Sequence, residues 1–341
     1  MLIPRYAIGH RRIVTATVVA LMVAVFALDA MSAPLKVALL TPGPISDDGW
    51  NASAYEGLEL IREELGAQVA HRESRNQGEF RRDFRDYARR GYNLIFAHGY
   101  EFSTHARDIA DAFPETYFVT TGGEAEYARA NYAPIVFVLD DGMYLLGVLA
   151  GKMTNTGKLG FVGGQELPPV SRGLDAFIAG AKSVRDDVEV LTAYVGNWED
   201  ALKAREQAAA QIQEGADFLL HNADKAGLGV FQAVDEARKA GGDVYAFGSN
   251  RDQNHVNPDV ILASAVSDIP KGFVDMARRA ESGEFEGALR FFTLQGGWIH
   301  VVYNPDLIDR IPADVMTSVE DAEARLRAGD ISLTAPESDA R

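Results

Sequence analysis

From residue 35 onward, short apolar runs alternate with longer stretches whose apolar positions recur every three or four residues. Residues 35–40 (LKVALL) form an unbroken apolar run, the pattern of a strand buried on both faces. Residues 51–66 carry Ala54, Leu58, Ile61 and Leu65 at helical spacing. A second strand is expected at 68–73, a charged helix at 79–91 closed by Gly91, and a third strand at 93–97. A helix at 105–113 closed by Pro114 and strands at 116–120 and 134–139 follow. The pattern then restarts, with helices at 141–153, 171–183, 200–214, 229–240 and 268–282. Between them lie strands at 158–162, 188–194, 217–220, 243–247 and 260–264. Strands alternating with helices imply parallel sheets covered on both faces, and two such series imply two doubly wound α/β lobes. The length of 341 residues fits about two domains.

The segment before residue 35 has a different character. Arg5, Arg11 and Arg12 precede an apolar run from 13 to 28, and Asp29-Ala30-Met31-Ser32-Ala33 follows. Charged, apolar and small residues in that order make a secretory signal, with cleavage expected after Ala33. An uncleaved anchor is the alternative. There is no cysteine, which excludes a disulfide framework, thiol catalysis, a cysteine metal site and a lipid-anchored mature N-terminus. The net charge of −16 argues against nucleic acid, which needs clustered Lys and Arg. A soluble, exported, monomeric protein is expected.

Catalytic and cofactor signals are sparse. The seven histidines are scattered, and neither H-E-x-x-H nor G-x-S-x-G occurs. Gly163-Gly164 follows a strand, but no phosphate-loop or dinucleotide-binding fingerprint is present, so no cofactor and no metal are expected. What the chain does offer is a set of strand ends rich in small and polar residues: Thr41-Pro42-Gly43, His98-Gly99-Tyr100, Gly163-Gly164-Gln165 and Gly248-Ser249-Asn250. Ligands of parallel α/β sheets sit beyond the carboxyl ends of the strands. Two facing lobes would bring these ends to one cleft.

Several blocks carry a specific resemblance. Residues 39–58 read LLTPGPISDDGWNASAYEGL, in which Asp47, Trp50, Asn51, Ala54, Glu56, Gly57 and Leu58 fill a D-x-x-F-N-x-x-A-x-E-G-L pattern. NLIFAHGYEF (93–102), GVLAGKMTNTGKLGFVGG (147–164), YVGNWEDALKAREQAAAQIQEGADFL (194–219) and FGSNRDQN (247–254) follow in order. Over about residues 35–305 the chain resembles the basic membrane protein (BMP, PnrA-like) family of ABC transporter substrate-binding proteins. The resemblance implies a type I periplasmic binding protein that closes by hinge bending around a purine nucleoside and delivers it to an inner-membrane ABC permease. A free purine base is the alternative ligand, and a secreted nucleoside-processing hydrolase the alternative from another class. On this reading the N-terminal lobe spans 34–139 plus about 268–293, and the C-terminal lobe 140–267 plus about 294–312. Chain crossings are expected near 139–142, 265–268 and 293–297. Residues 313–341 make a polar, peripheral tail.

Within that frame, Trp50, Tyr100 and Trp198 are candidates for aromatic walls against a base, with packing roles as the competing explanation. Asp47 and Asn51 would bond base or sugar edges, or cap a helix. Gly99 and Gly164 would let backbone approach a ligand. Asp252 matches an acid that the resemblance gives to ribose hydroxyls, or else pairs with Arg251 on the surface. Asn250 stands where the family pattern has another acid, and Asp224 is a further carboxylate candidate. Ser267 replaces a lysine of the family's V-V-K-D segment, which removes one cationic anchor for a sugar.

Overall fold

The computed structural model describes residues 34–333. The expected signal segment 1–33 and the last part of the expected tail, 334–341, lie outside the described residues.

Two six-stranded sheets organise the chain. The first has strand order β11-β5-β4-β3-β1-β2. Its members are β1 (Lys36–Thr41), β2 (Gln68–Glu73), β3 (Leu94–Ala97), β4 (Tyr117–Thr121), β5 (Tyr132–Phe137) and β11 (Arg290–Phe292), all parallel. The second has order β12-β10-β9-β8-β6-β7. It contains β6 (Lys158–Gly163), β7 (Glu189–Tyr194), β8 (Phe218–Asn222), β9 (Tyr245–Asn250), β10 (Ile261–Ser267) and β12 (Ile299–Tyr303). Only the edge strand β12 runs antiparallel, paired with β10. Central strands such as β1 and β3 are apolar on both faces because helices cover both faces; Val37, Leu39, Leu94 and Phe96 are fully buried.

Helices α1 (Trp50–Leu65) and α8 (Ile269–Ser282) cover one face of the first sheet through Ala54, Leu58, Ile61 and Phe273. Helices α2 (Gln77–Arg89) and α3 (Ser103–Ala110) cover the other through Phe80, Phe84 and Ala106. On the second sheet, α4 (Asp140–Met153) and α5 (Pro168–Lys182) form one layer, and α6 (Ala201–Gln213) and α7 (Leu228–Lys239) the other. The chain passes from the first sheet to the second after Phe137, returns after Ser267, and crosses again after Phe292.

The α4–α5 contact shows how sequence sets geometry. A Cβ on Gly180 would lie 2.0 Å from the Tyr144 carbonyl oxygen, and one on Gly147 2.2 Å from that of Phe177. Any side chain at either position would push the helices apart. Their absence brings the backbones together and fixes Asp140, at the start of α4, beside Arg172 on α5.

Two features depart from expectation. Residues 313–328, expected as part of a peripheral tail, form helix α9 (Ala313–Ala328). Val315, Val319, Ala322 and Leu326 share one helical face and are buried against the second lobe's core. The many charges of this segment occupy its solvent face and hid the stripe. Strands β11 and β12 were also unforeseen: three residues are too short to show a period, and β12 is only half-buried at an edge.

Candidate functional site

A cavity of about 110 Å3 lies where strand ends of the two sheets meet. Half of its lining comes from strand ends or the residues just after them: Pro42 after β1, Gly99, Tyr100 and Glu101 after β3, and Gly122, Gly123 and Glu124 after β4. Asn222 and Asp224 close β8, Asn250 closes β9 and Ser267 closes β10. This is the position that parallel sheets give to ligands. Leu139, Asp140, Leu167, Pro169, Val170 and Arg172 complete the wall from the second lobe.

Backbone strain marks the same place. Among the described residues, the non-glycine positions with positive φ are Asp48 (49°), Asp224 (47°) and Asn250 (67°). Left-handed conformations cost energy outside glycine, least for Asn and Asp, and they concentrate at ligand clamps. Asp224 and Asn250 line the cavity, and Asp48 lies in the loop that leads to Trp50.

Six sequence candidates are brought to the cavity: Trp50, Gly99, Tyr100, Trp198, Asp224 and Asn250. Trp50 lines the cavity and stacks on His98 with ring centroids 3.9 Å apart. The His98 ring bonds the Trp50 carbonyl and the Thr121 hydroxyl, at 3.0 and 2.9 Å. Burial holds its pKa down to about 3, so it is a neutral support. Trp198 comes from the loop before α6, and its indole N–H has no acceptor among the described residues. The Tyr100 hydroxyl donates to Glu124 at 3.0 Å; burial and that carboxylate push its pKa up to about 12.

Four candidates lie outside the lining. Asp47 is fully buried and accepts bonds from the backbone N–H groups of Gly49, Asn51 and Ala52 and from Asn51 Nδ2. It holds the first turn of α1, because orphan N–H groups at a helix start need an acceptor. Asn51 is buried beside it and supports that arrangement. Gly164 contributes space: a Cβ there would stand 2.1 Å from Cε3 of Trp198. Asp252 is exposed and accepts the Asn254 N–H at 3.0 Å. Asn250 ends β9 in a left-handed conformation, and two residues later Asp252 closes a local turn outside the lining.

Polar groups that sequence reasoning missed complete the wall. Glu101 is half-buried, and desolvation raises its pKa to about 7. Asp140 accepts from Arg172 Nε at 3.3 Å; burial raises its pKa against the opposing pull of the guanidinium. Arg172 is the only Lys or Arg of the lining. Glu124 follows Gly122-Gly123 at a strand end, a signal that was present in the sequence. Asp140 and Arg172 meet only through the α4–α5 contact, which no linear motif announces.

Three contacts join the lobes around the cavity. Gln253 Nε2 donates to the Asp48 carbonyl at 3.1 Å, Arg251 pairs with Glu56 at 2.9 Å, and Arg75 lies 3.8 Å from Glu199. Gln253 is fully buried, and its Oε1 also accepts from the Ser249 N–H and contacts His221 Nε2. It ties β8 and β9 to the first lobe.

The model of a known family, described as ABC transporter substrate-binding protein PnrA-like, matches residues 35–322. Basic membrane protein A1 of Borrelia garinii subsp. bavariensis is 29% identical over 80% of this chain and 81% of its own length. A protein of Lactococcus lactis named ABC transporter nucleoside-binding protein BmpA is 26% identical, over 88% of this chain and 89% of its own. A purine-binding protein of Brucella abortus is 27% identical, over 87% and 82%. Among solved structures, a solute-binding protein of an ABC transporter system from Aeropyrum pernix K1 superposes with a TM-score of 0.83. It covers 90% of this chain and 95% of its own at 21% identity, a likeness of fold. With two α/β lobes, strand ends that line a cavity and a family match over most of its length, this chain belongs to the PnrA-like family of ABC transporter substrate-binding proteins.

Proposed function

We propose that the protein is the periplasmic receptor of an ABC importer and that its ligand is a free purine base, bound and released without turnover by a monomer. This revises the nucleoside expected from the sequence. The observation that carries the change is the fate of the two sugar anchors. Asp252 lies outside the cavity, on its own turn. The lysine of the family pattern is Ser267, a buried hydroxyl that reaches no partner among the described residues.

What remains suits a base. Trp50 and Trp198 offer aromatic faces, and stacking on a base contributes about 1–3 kcal/mol. Asn222, Asp224, Asn250 and Ser267 offer donors and acceptors to a heteroaromatic edge. The name of the Brucella relative favours the same class. The nucleoside reading keeps one support besides the Lactococcus relative's name: the Asp140–Arg172 and Tyr100–Glu124 pairs line the cavity too and present groups that hydroxyls could join.

A thermal-shift panel of purine bases, nucleosides, sugars and amino acids tests the ligand class. A ligand present at 100 times its Kd stabilises by about 2.7 kcal/mol. Shifts with purines alone support the proposal; a shift with a sugar or amino acid and none with purines would overturn it.

A further inference from the structure

We propose that Asp224 contacts the ligand as a neutral carboxylic acid, donating through its O–H to one ligand atom and accepting from the donor beside it. The ligand edge it selects therefore presents one acceptor and one donor side by side, as the ring nitrogen and amino group of adenine do. This rests on the purine reading above and deepens it.

The argument starts from isolation. Asp224 is 6% exposed and lines the cavity, and among the described residues no group donates a hydrogen bond to its carboxyl. A buried ionised carboxylate without a cation or donors is strongly disfavoured, and such a group takes up a proton instead. The surrounding charges make ionisation harder. Asp47 faces it from the loop before α1, and Glu101 faces it from the turn after β3. Arg172, the sole cation of the lining, is engaged by Asp140, and the neighbouring Lys225 is outside the lining. The buried histidines His98 and His221 are held neutral. Burial first, and then the Asp47 and Glu101 charges, lift the pKa of Asp224 well above the usual carboxylate range.

A second group points to the same ligand. The Ser267 hydroxyl, 2% exposed, lines the cavity without a partner. A buried polar group in a cavity wall is costly unless a ligand completes it. The backbone agrees, since Asp224 sits at φ 47°, a strained position that keeps its side chain in the lining.

The linkage has a definite sign. Binding uses the protonated form, so affinity is full below the acid's pKa in the free protein. It falls as pH rises past that value, approaching about ten-fold per unit.

The test is titration of adenine into the wild type and Asp224→Asn between pH 6 and 9, with hypoxanthine and guanine alongside. Asparagine keeps one donor and one acceptor, cannot ionise, and tolerates the left-handed backbone. The melting temperature of the ligand-free variant checks its fold. The expected result is that Asp224→Asn holds adenine about as well as the wild type at pH 6 and loses part of the decline at higher pH. Glu101 titrates in both proteins, so the difference between them reports residue 224. The proposal is overturned if wild-type affinity rises with pH, if the folded variant no longer binds adenine, or if guanine binds and adenine does not. Each of those results would mean that residue 224 does not bind adenine through one donated and one accepted hydrogen bond. If none of the three purines binds, the purine reading falls, and this proposal with it.

Discussion

The indole of Trp198 occupies the space in which a side chain on Gly164 would stand. A Cβ at residue 164 would lie 2.1 Å from Cε3 and 2.3 Å from Cζ3 of that ring. The glycine after β6 therefore shapes the cavity wall without lining it, since it lets a tryptophan from a different loop reach the lining.

The prediction is that Gly164→Ala displaces the Trp198 ring and weakens ligand binding about as much as removing one stacking partner, roughly 1–3 kcal/mol. Intrinsic fluorescence follows the displacement directly, because Trp50, Trp198 and Trp298 are the chain's only tryptophans. Unchanged affinity and an unchanged emission spectrum would show that the ring has room to move aside and that its position is unimportant.

Gln253 supplies a second test. One side chain serves the Ser249 N–H, His221 Nε2 and, across the cleft, the Asp48 carbonyl. Gln253→Ala leaves these buried groups unmet at about 1–3 kcal/mol each at most. The account expects a lower melting temperature and, because the Asp48 bond joins the lobes, weaker ligand binding in the fraction that stays folded. Arg251→Ala, which breaks an exposed ion pair with Glu56, should cost under about 1 kcal/mol. Chemical denaturation of both variants checks the contrast.

Glu101 gives a pH signature. Its pKa rises from 4.5 to about 7 in the folded protein because burial disfavours the charge. A group raised on folding stabilises most when it is protonated in both states, and that contribution is lost as pH climbs from the unfolded value through the folded one. Glu101→Gln should therefore gain stability relative to the wild type between about pH 4.5 and 7, with no further gain above that window. The histidines act in the opposite sense. His98 and His221 are depressed to about 3 and about 4, so their contribution is present above pH 6.5 and is lost on acidification. Melting curves at half-unit pH steps for wild type and Glu101→Gln isolate the glutamate, because the histidine contribution cancels in the difference.

The two-lobed α/β architecture was legible from the alternation of buried runs and amphipathic stretches, and so was the convergence of strand ends. Trp50 could be nominated from its place in the family pattern, and Tyr100 and Trp198 as large aromatics in the loops after strands, where packing and a ligand compete as reasons. The candidates that lie outside the lining have local explanations. Asp47 carries the side chain of a ligand contact and also that of a helix cap, and only the four bonds it accepts decide for the cap. Asp252 matched a motif by position, and in the fold it lies outside the lining and accepts the Asn254 N–H. Arg172 and Asp140 were invisible because the contact of α4 with α5 that unites them is a tertiary event. Helix α9 was missed because its apolar stripe is diluted by charge.

The central claim is that the cleft is built for a base without its sugar. Calorimetric titration of matched pairs, adenine with adenosine, hypoxanthine with inosine and guanine with guanosine, tests it most directly, with Asp252→Asn measured beside the wild type. A site that lacks sugar anchors should bind at least one base roughly ten-fold or more tighter than its nucleoside. Asp252→Asn should leave that preference and the affinity unchanged, since the residue closes its own turn on the surface. Nucleosides binding tighter than every base, with Asp252→Asn weakening them by ten-fold or more, would contradict the account and restore the sugar to the cleft.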